Sequence, residues 1–259
     1  MTGCDKCQSR AIIHQRYSGM HLCQAHFDQD VHRKVRESLR KTSLFRGSAR
    51  VAVGLSGGKD SATLLYVLKN LFSCRRDIEL LAVIIDEGRE GRAALERARA
   101  LAERLQVPYL VKSLPEASLK KDLLEEGAQE MGADILATGH NLDDEALDIF
   151  ISYLQGDVEG LFRLGRCGGQ VPWIKPLRRI PGREIRLYAI AHGLCSLDSL
   201  SRAEDLQREA KRCLDGFDSR HPGTKYSLLR SLERVLALQE AGCKRPLPGG
   251  AKPLSADVK

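Results

Sequence analysis

Residues 51–72 have the sequence VAVGLSGGKDSATLLYVLKNLF, which contains the strongest indication of the fold. The apolar run at 51–55 predicts a short buried strand, and the pattern of 60–72 predicts an amphipathic helix. Between them, SGGKDS at 56–61 combines two glycines with hydroxyl, ammonium and carboxylate groups. Glycines let a backbone approach an anion, and a helix start offers free N–H groups and a positive dipole end. We therefore predict a phosphate-binding loop at 56–61.

Short apolar runs alternate with amphipathic stretches through the first 155 residues. Strands are predicted at 51–55, 78–85, 107–113 and 133–139, with helices at 28–41, 60–72, 92–106, 118–131 and 143–155. This alternation is typical of an α/β domain with a doubly wound parallel sheet. Beyond residue 156 the periodicity weakens, and helices are predicted at 184–193, 200–218 and 225–240. The last two helices predict a small helical C-terminal extension.

A second polar motif, ATGHNLDDEA at 137–146, lies between the fourth predicted strand and the following helix. Adjacent acids at a helix start are also typical of simple capping. Capping does not explain the preceding Thr-Gly-His, and ligands of parallel sheets bind at the carboxyl ends of strands. The motif therefore indicates a second part of the same ligand site.

The N-terminal segment contains two closely spaced pairs of metal-binding side chains. Cys4 and Cys7 are separated by two residues, as are Cys23 and His26. Three thiolates and one imidazole form a full tetrahedral set that suits Zn²⁺, with no open catalytic position. We predict a structural zinc knuckle in a segment too short to form a core of its own.

Charge and composition narrow the class of protein. The chain has 259 residues and a formal net charge of +7, and its two ends are more basic than its middle. Arginine and lysine also recur at 163–186. This distribution favours a polyanionic partner such as nucleic acid, although an arginine-rich solvated surface would have the same composition. Without a long apolar run or a signal-peptide core, we expect a cytoplasmic protein with no membrane partner.

The order of the motifs resembles a known family. SGGKDS is similar to the pyrophosphate loop of N-type ATP pyrophosphatases, the PP-loop superfamily. The N-terminal knuckle, SGGKDS, TGHNLDDEA and HPGTKYSLLRSLERV at 221–235 together resemble the tRNA 2-thiouridine synthetases. The resemblance covers roughly residues 3–240. It implies adenylation of the C2 oxygen of a tRNA uridine with release of pyrophosphate, followed by insertion of sulfur.

The resemblance also implies the roles of particular residues and the partners of the protein. Asp60 and Asp144 would hold Mg²⁺, and both would act in catalysis together with Lys59. ATP would contact Leu55, Ser56, Gly57, Gly58, Lys59, Asp60, Ser61, Ile84, Gly139 and Asp144. The implied partners are tRNA, a sulfur donor (a sulfur-carrier protein or sulfide) and a second copy of the chain in a homodimer.

This sequence departs from the family at the cysteines that hold an iron–sulfur cluster. The family's Pro-Cys-x-x-Cys corresponds to residues 115–119, where Glu116 and Leu119 replace the cysteines. A later cysteine is retained as Cys195, and one thiolate cannot hold a cubane cluster. We therefore predict no iron–sulfur cluster, and the C-terminal zinc knuckle of the family is missing too.

Several alternatives remain for the sulfur half of the reaction. Cys195 is the candidate sulfur carrier, and Cys167 or Cys213 could join it, or Cys195 could be an inert thiol. The chain could also use the same adenylating chemistry with another nucleophile or acceptor, or be a non-catalytic nucleotide- and RNA-binding paralogue.

The motifs and the predicted elements divide the chain into five segments. We predict a zinc knuckle over 1–27, a basic linker helix over 28–46, an ATP-binding domain over 47–198, a helical extension over 199–243 and a disordered tail over 244–259.

Overall fold

A computed structural model describes residues 2–45, 47–115, 119–165, 169–194 and 205–242. Its strands are β1 (Ile13–Gln15), β2 (Met20–Leu22), β3 (Ala49–Gly54), β4 (Ile78–Asp86), β5 (Tyr109–Ser113), β6 (Ile135–Ala137) and β7 (Trp173–Ile174). Its α-helices are α1 (Gln24–Lys41), α2 (Lys59–Leu71), α3 (Arg92–Arg104), α4 (Lys120–Glu130), α5 (Leu142–Gln155), α6 (Val158–Gly165), α7 (Gly182–Ala191), α8 (Asp205–Arg220) and α9 (Thr224–Gly242).

The central sheet has five parallel strands in the order β5-β4-β3-β6-β7. The strands β3, β4 and β5 progress to one side, and β6 and β7 lie on the other side of β3. After β5 the chain crosses back over the sheet to form β6 on the other side of β3, so the switch point lies between the neighbouring strands β3 and β6. In doubly wound sheets this switch point opens a crevice at the carboxyl ends of the strands. The predicted α/β class is confirmed, and both polar motifs follow the two strands at the switch point.

The apolar residues of α1 join the N-terminal segment to the α/β domain. Phe27, Val31, Val35 and Leu39 repeat every four residues, so they share one helical stripe, and all are buried. They belong to one core cluster with Cys4, Leu22 and the strands β3 and β4. The helix begins at Gln24, four residues before its predicted start, and His26 consequently lies in its first turn.

The C-terminal helices pack on the helix that follows the second motif. Leu142 and Ile149 of α5 form a separate apolar cluster with Leu161 of α6 and with Leu229 and Leu232 of α9. The predicted helical extension therefore contacts the site region directly. Among the described helices, none has both the length and the apolar composition needed to cross a bilayer.

Helix α6 lies where no helix was predicted from the sequence, and a short hairpin and an edge strand were not predicted either. The hairpin formed by β1 and β2 supports the knuckle, and β7 adds an edge strand of only two residues. Both are shorter than the runs from which periodicity can be read. The edge strand β7 is positioned by its pairing with β6.

Candidate functional site

The loop after β3 has a backbone that requires glycine. Gly57 has a φ of +72°, and a Cβ atom there would lie 2.0 Å from the carbonyl oxygen of Ala94. Gly58 caps α2 without any side-chain hydrogen bond to the first turn. The first N–H groups of the helix therefore stay available to an anion, as the sequence predicts for a phosphate loop.

Serine hydroxyls hold the loop in shape. The backbone N–H of Ser56 donates to Oγ of Ser61 over 3.1 Å, and the two hydroxyl oxygens lie 3.0 Å apart. Oγ of Ser61 also donates to the carbonyl of Gly58 over 3.2 Å. Beside them, Nζ of Lys59 contacts Oδ2 of Asp60 at 2.6 Å. The loop thus presents a cation and a carboxylate next to free backbone donors.

The second motif lies directly against this loop. A Cβ on Gly139 would come within 2.8 Å of the backbone nitrogen of Ser61, so only glycine permits this approach. Asn141 donates through Nδ2 to Oδ1 of Asp60 over 3.1 Å. Its own side chain accepts from the backbone of α5, while its N–H donates to Oδ2 of Asp144 over 3.0 Å. This capping box brings the carboxylates of Asp60 and Asp144 to one region.

A cleft of about 470 Å³ opens between the two motifs. This volume lies within the usual range of small-molecule sites. The predicted site residues that line it are Leu55, Ser56, Asp60, Ser61, Gly139 and Asp144. Gly57, Gly58 and Lys59 belong to the same loop without lining the cavity. Cys195 and Cys167 lie outside the described residues.

One predicted adenosine contact needs correction. The side chain of Ile84 is 1% exposed and belongs to the sheet core. Successive side chains of a strand point to opposite faces, so the neighbouring Ile85 lines the cleft instead. Glu87 and Lys120 also line the cleft and form an ion pair of 2.7 Å across it.

Burial perturbs the ionisation of the groups around the cleft. Desolvation raises the pKa of Asp144 above its usual value, opposed by the N–H of Asn141 and reinforced by the charge of Asp60. Desolvation also lowers the pKa of His140, as does the nearby Lys175. Asp148, one turn after Asp144, has a pKa raised to about 6 by burial and by Glu145 and Asp144. The cleft therefore concentrates carboxylates that a cation would stabilise.

A second cavity of about 530 Å³ adjoins the first. His140, Asp148 and Gln207 line both cavities, so the two share a wall. Trp173 lines the second cavity, together with Lys121, Arg163 and Lys175. Asp148 was not among the site residues predicted from the sequence. Its spacing of four residues from Asp144, which places both acids on one helical face, was the available signal.

Glu145, the glutamate of the DDEA sequence at 143–146, has a structural role. Glu145 is 2% exposed, and its two oxygens accept from Nζ of Lys175 at 2.5 Å and from Nη2 of Arg178 at 2.9 Å. Arg179 is paired with Glu233 of α9. Lys175, Arg178 and Arg179 are therefore neutralised within the chain. Arg163 is paired too, with Asp157 at 3.3 Å and Glu159 at 3.9 Å, but its side chain is 70% exposed. The predicted nucleic-acid surface carries less free charge than its composition indicates.

The four predicted zinc ligands converge. Their ligand atoms all lie within 4.8 Å of one another. Sγ of Cys7 lies 3.7 Å from Sγ of Cys23, and Nδ1 of His26 lies 3.4 Å from Sγ of Cys4 and 3.3 Å from Sγ of Cys23. Tetrahedral zinc separates two sulfurs by about 3.8 Å and a sulfur and a nitrogen by about 3.6 Å. The donor set therefore fits Zn²⁺.

Local hydrogen bonds favour the thiolate form of Cys4, whereas those from Cys7 and Cys4 raise the pKa of Cys23. Burial raises the pKa of Cys4, but hydrogen bonds with the backbone of Cys23, Lys6 and Cys7 outweigh it and lower the pKa to about 6. A thiolate is the form that binds a metal. In the described part of the chain, this is the one group of three or more close His, Cys, Asp or Glu ligands.

The sheet, the loop and the cleft at the switch point define a PP-loop nucleotide-binding protein. Family models agree: "2-thiouridine synthetase TtuA, N-terminal LIM domain" matches residues 4–28, and "PP-loop domain" matches residues 27–212. A tRNA 2-thiolation protein NcsA of Haloferax volcanii is 33% identical, over 91% of this chain and 87% of the relative. The chain belongs to the TtuA/NcsA-like tRNA 2-thiolation family.

Two further relatives are similar over most of their length. The cytoplasmic tRNA 2-thiolation protein 1 of Bos taurus is 32% identical, covering 96% of this chain and 81% of the relative. The solved structure of the U34-tRNA thiolase NcsA from Methanococcus maripaludis, with its [4Fe-4S] cluster, superposes with a TM-score of 0.83 at 30% identity. That match covers 92% of this chain and 88% of the other.

The residues described here do not fit a cluster of that kind. Leu119 precedes α4, is 67% exposed and has no ligand atom. Outside the knuckle, the described cysteines are Cys74 and Cys213, both exposed, and neither lines either cavity. Glu116 and Cys195 lie outside the described residues.

Proposed function

We propose that this chain is an ATP-dependent tRNA 2-thiolation enzyme. In this proposal it adenylates the C2 oxygen of a tRNA uridine and then replaces that oxygen with sulfur. The observation that carries the proposal is the link from Asp60 through Asn141 to Asp144 at the mouth of the nucleotide cleft. This link holds the phosphate loop and the TGHNLDDEA motif against each other, which supports a site in which both contact the same ATP.

The first half of the reaction is adenylation. The uridine O2 attacks the α-phosphorus of ATP, the O2–Pα bond forms, and pyrophosphate leaves with the electrons of the broken Pα–O bond. The loop N–H groups and Lys59 bind the phosphates and stabilise the charge that develops on them. Gly139 keeps the second motif close enough for Asp144 to face the same phosphates.

The carboxylates of Asp60 and Asp144 fit a magnesium ion. Oxygen ligands suit Mg²⁺, and two acids held near each other by one asparagine are stabilised by a cation. When bound, the ion would neutralise charge on the phosphates of ATP. Asn141 keeps both carboxylates in place through its side-chain and backbone donors.

The second half of the reaction inserts sulfur. With hydrosulfide as the nucleophile, a C2–S bond forms, the C2–O bond breaks, and AMP leaves with that oxygen. We propose that this occurs without the three-cysteine cluster, since Glu116 and Leu119 replace two of its ligands. Cys195 is the proposed sulfur-carrying residue when the donor is a carrier protein with a persulfide. In that route the donor transfers its outer sulfur to Cys195 and leaves as a thiolate, and the outer sulfur of Cys195 then attacks C2 and displaces AMP. A second thiol attacks Sγ of Cys195, which releases the thiolated base and leaves a disulfide.

The remaining assignments belong to the same proposal. The knuckle holds Zn²⁺ structurally, because its four protein ligands leave no open position. The proposed partners are tRNA, a sulfur donor (a sulfur-carrier protein or sulfide) and a second copy of the chain in a homodimer. The division of the chain into knuckle, linker helix, ATP-binding domain and extension also remains a prediction, as does a cytoplasmic location.

The proposal is tested by measuring pyrophosphate release from ATP with and without tRNA. We expect release to depend on tRNA in the parent protein and to be lost in Asp60→Ala. The exposed Asp77→Asn serves as a control, because Asp77 precedes β4 at the opposite end of the sheet. Release that is equal with and without RNA would contradict the tRNA substrate.

Sulfur insertion needs a separate measurement. Mass spectrometry of tRNA nucleosides from cells with and without the gene should show the loss of one thiolated nucleoside. Complementation with Cys195→Ser then tests the carrier: unchanged thiolation would exclude Cys195 from that role.

A further inference from the structure

The second cavity contains the carboxylate of Asp148, on which Lys175 acts only through its charge. No hydrogen bond or ion pair joins Asp148 to another residue in the described ranges, although it faces both cavities. By contrast, the neighbouring acid Glu145 is fully paired with Lys175 and Arg178. A half-buried carboxylate with free acceptor oxygens is costly unless a ligand supplies a donor. Asp148 therefore indicates a ligand that donates a hydrogen bond at the shared wall.

The same cavity is lined by the only tryptophan of the chain. Trp173 lies on the edge strand β7 and packs against a small apolar cluster around Ala52 and Leu136. The exposed Lys121 places its Nζ 5.5 Å from the centre of the indole ring. A mobile lysine over an aromatic face is easily displaced by a flat aromatic ligand. A flat ligand that displaces the exposed Lys121 would therefore stack on this face of Trp173.

Cations lie around the cavity opening. Lys121 and Arg163 both line it, and Arg163 is 70% exposed at its side chain. Such groups bind phosphates without reading sequence. An unpaired acceptor, an aromatic face and peripheral cations together match a nucleotide whose base has left its stack.

We propose that the second cavity binds the target uracil, which stacks on Trp173 and donates its N3–H to the carboxylate of Asp148. This inference rests on the proposed tRNA substrate and names where its base is held. Because Asp148 and His140 also line the nucleotide cleft, a base in this position lies beside the ATP. Lys121 and Arg163 contact the flanking phosphates.

The arrangement distinguishes uracil from cytosine. An ionised carboxylate accepts hydrogen bonds and donates none. Uracil carries a hydrogen on N3, whereas cytosine presents a lone pair there and would leave two acceptors facing each other. Asp148 is therefore proposed as a residue that determines specificity for uridine. An asparagine at this position could both donate and accept, so it would serve either base.

Intrinsic fluorescence provides a test that requires no turnover. Trp173 is the single tryptophan in the sequence, so base stacking should quench the whole indole emission. The full-length protein is titrated with the oligoribonucleotide AAAUAAA and with AAACAAA. We expect quenching by the uridine oligomer and binding roughly tenfold weaker for the cytidine oligomer. Equal quenching by both, or none by either, overturns the proposal.

Variants then assign the two residues. Asp148→Asn should reduce the difference between the two oligomers to about twofold, whereas the control Asp77→Asn should preserve it. With end-labelled AAAUAAA and fluorescence anisotropy, Trp173→Ala should weaken binding roughly tenfold, and Trp173→Phe should retain most of it. A preference for the uridine oligomer that is unchanged in Asp148→Asn contradicts the assigned specificity.

The inference and the proposed function fail in different ways. Uridine-selective quenching without any tRNA-dependent pyrophosphate release would support the base site and contradict adenylation. Pyrophosphate release that depends on tRNA, without quenching by the uridine oligomer, would overturn the base site and leave the proposed function in place.

Discussion

Asn141 donates through its amide to Oδ1 of Asp60 over 3.1 Å, joining residues that lie 81 positions apart in the chain. The same side chain accepts from two N–H groups at the start of α5. One asparagine therefore caps a helix and orients an acid of the phosphate loop. Its two functions can be separated, because capping needs only an acceptor oxygen, whereas the contact with Asp60 needs the amide donor.

We predict that Asn141→Ser impairs catalysis more than stability. Serine is a good N-cap, so unfolding should change by only a few tenths of a kcal/mol. Its short side chain cannot reach Asp60, and loss of a hydrogen bond to a charged group corresponds to about a tenfold or greater loss of pyrophosphate release. Asn141→Ala is the matched comparison, with a further destabilisation of about 1 kcal/mol in urea unfolding. Full activity in Asn141→Ser would contradict the orienting role.

Both ligand-binding motifs were predictable from the sequence, since each follows an apolar run and begins a helix. The convergence of Cys4, Cys7, Cys23 and His26 was predictable in part, because a two-residue spacer brings the members of each pair together locally. What the sequence could not show depends on long-range packing. The pairing of Glu145 with Lys175 and Arg178 spans some thirty residues, and composition alone left those cations free. Ile85, and not the predicted Ile84, lines the cleft because of the side of the sheet to which each side chain points. Both faces of β4 are buried, so the hydrophobic pattern of the strand does not show which face borders the cleft.

Gly57→Ala should disrupt the phosphate loop. A left-handed backbone costs a non-glycine residue about 1 kcal/mol, and the new Cβ would lie 2.0 Å from the carbonyl oxygen of Ala94. The loop or α3 must shift, so we expect lower stability together with weakened ATP binding by calorimetry. Gly58→Ala is the control for stability, because its φ is −88° and its Cβ would meet only Oγ of Ser56 at 3.5 Å. Equal melting temperatures for the two variants would contradict this account.

Removing zinc should destabilise more than the knuckle itself. Cys4 and Cys23 belong to the same core cluster as Val31 and Val53, so loss of the metal exposes apolar surface that α1 shares with the sheet. We expect elemental analysis to find one zinc per chain, and Cys23→Ser or a chelator to lower Tm by at least about 5 °C. The exposed Cys74→Ser is the control and should retain both zinc and Tm. A metal-free protein with unchanged Tm would exclude a structural role.

Reconstitution with iron and sulfide tests whether this chain can hold an iron–sulfur cluster without the cysteines that Glu116 and Leu119 replace. We expect the anaerobically treated protein to bind no stoichiometric cluster, since one cysteine at the family's cluster positions cannot replace three ligands. The comparison is the double variant Glu116→Cys with Leu119→Cys, which restores two thiols at the family's positions. Iron and acid-labile sulfide are quantified in both proteins. About four irons per chain in the unaltered protein would contradict the prediction.

Asp30 should make the fold sensitive to acid. Burial raises the pKa of its carboxyl, but the ammonium of Lys34 at 2.8 Å and hydrogen bonds from Gln15 and Arg33 outweigh burial and lower the pKa to about 2. A carboxyl with a depressed pKa stabilises the folded state above its unfolded value of 3.8, and this contribution is lost as the pH falls towards 2. Asp30→Asn should therefore be less stable than the parent at neutral pH. The difference between their urea midpoints should shrink between about pH 4 and pH 2.

Two controls separate this effect from other effects of acid. Both proteins would lose zinc in acid, so comparing them with each other at each pH removes that shared contribution. Asp122→Asn, at an exposed position of α4, should match the parent throughout. A difference between parent and Asp30→Asn that stays constant down to pH 2 would show that the Lys34 contact contributes nothing to acid stability.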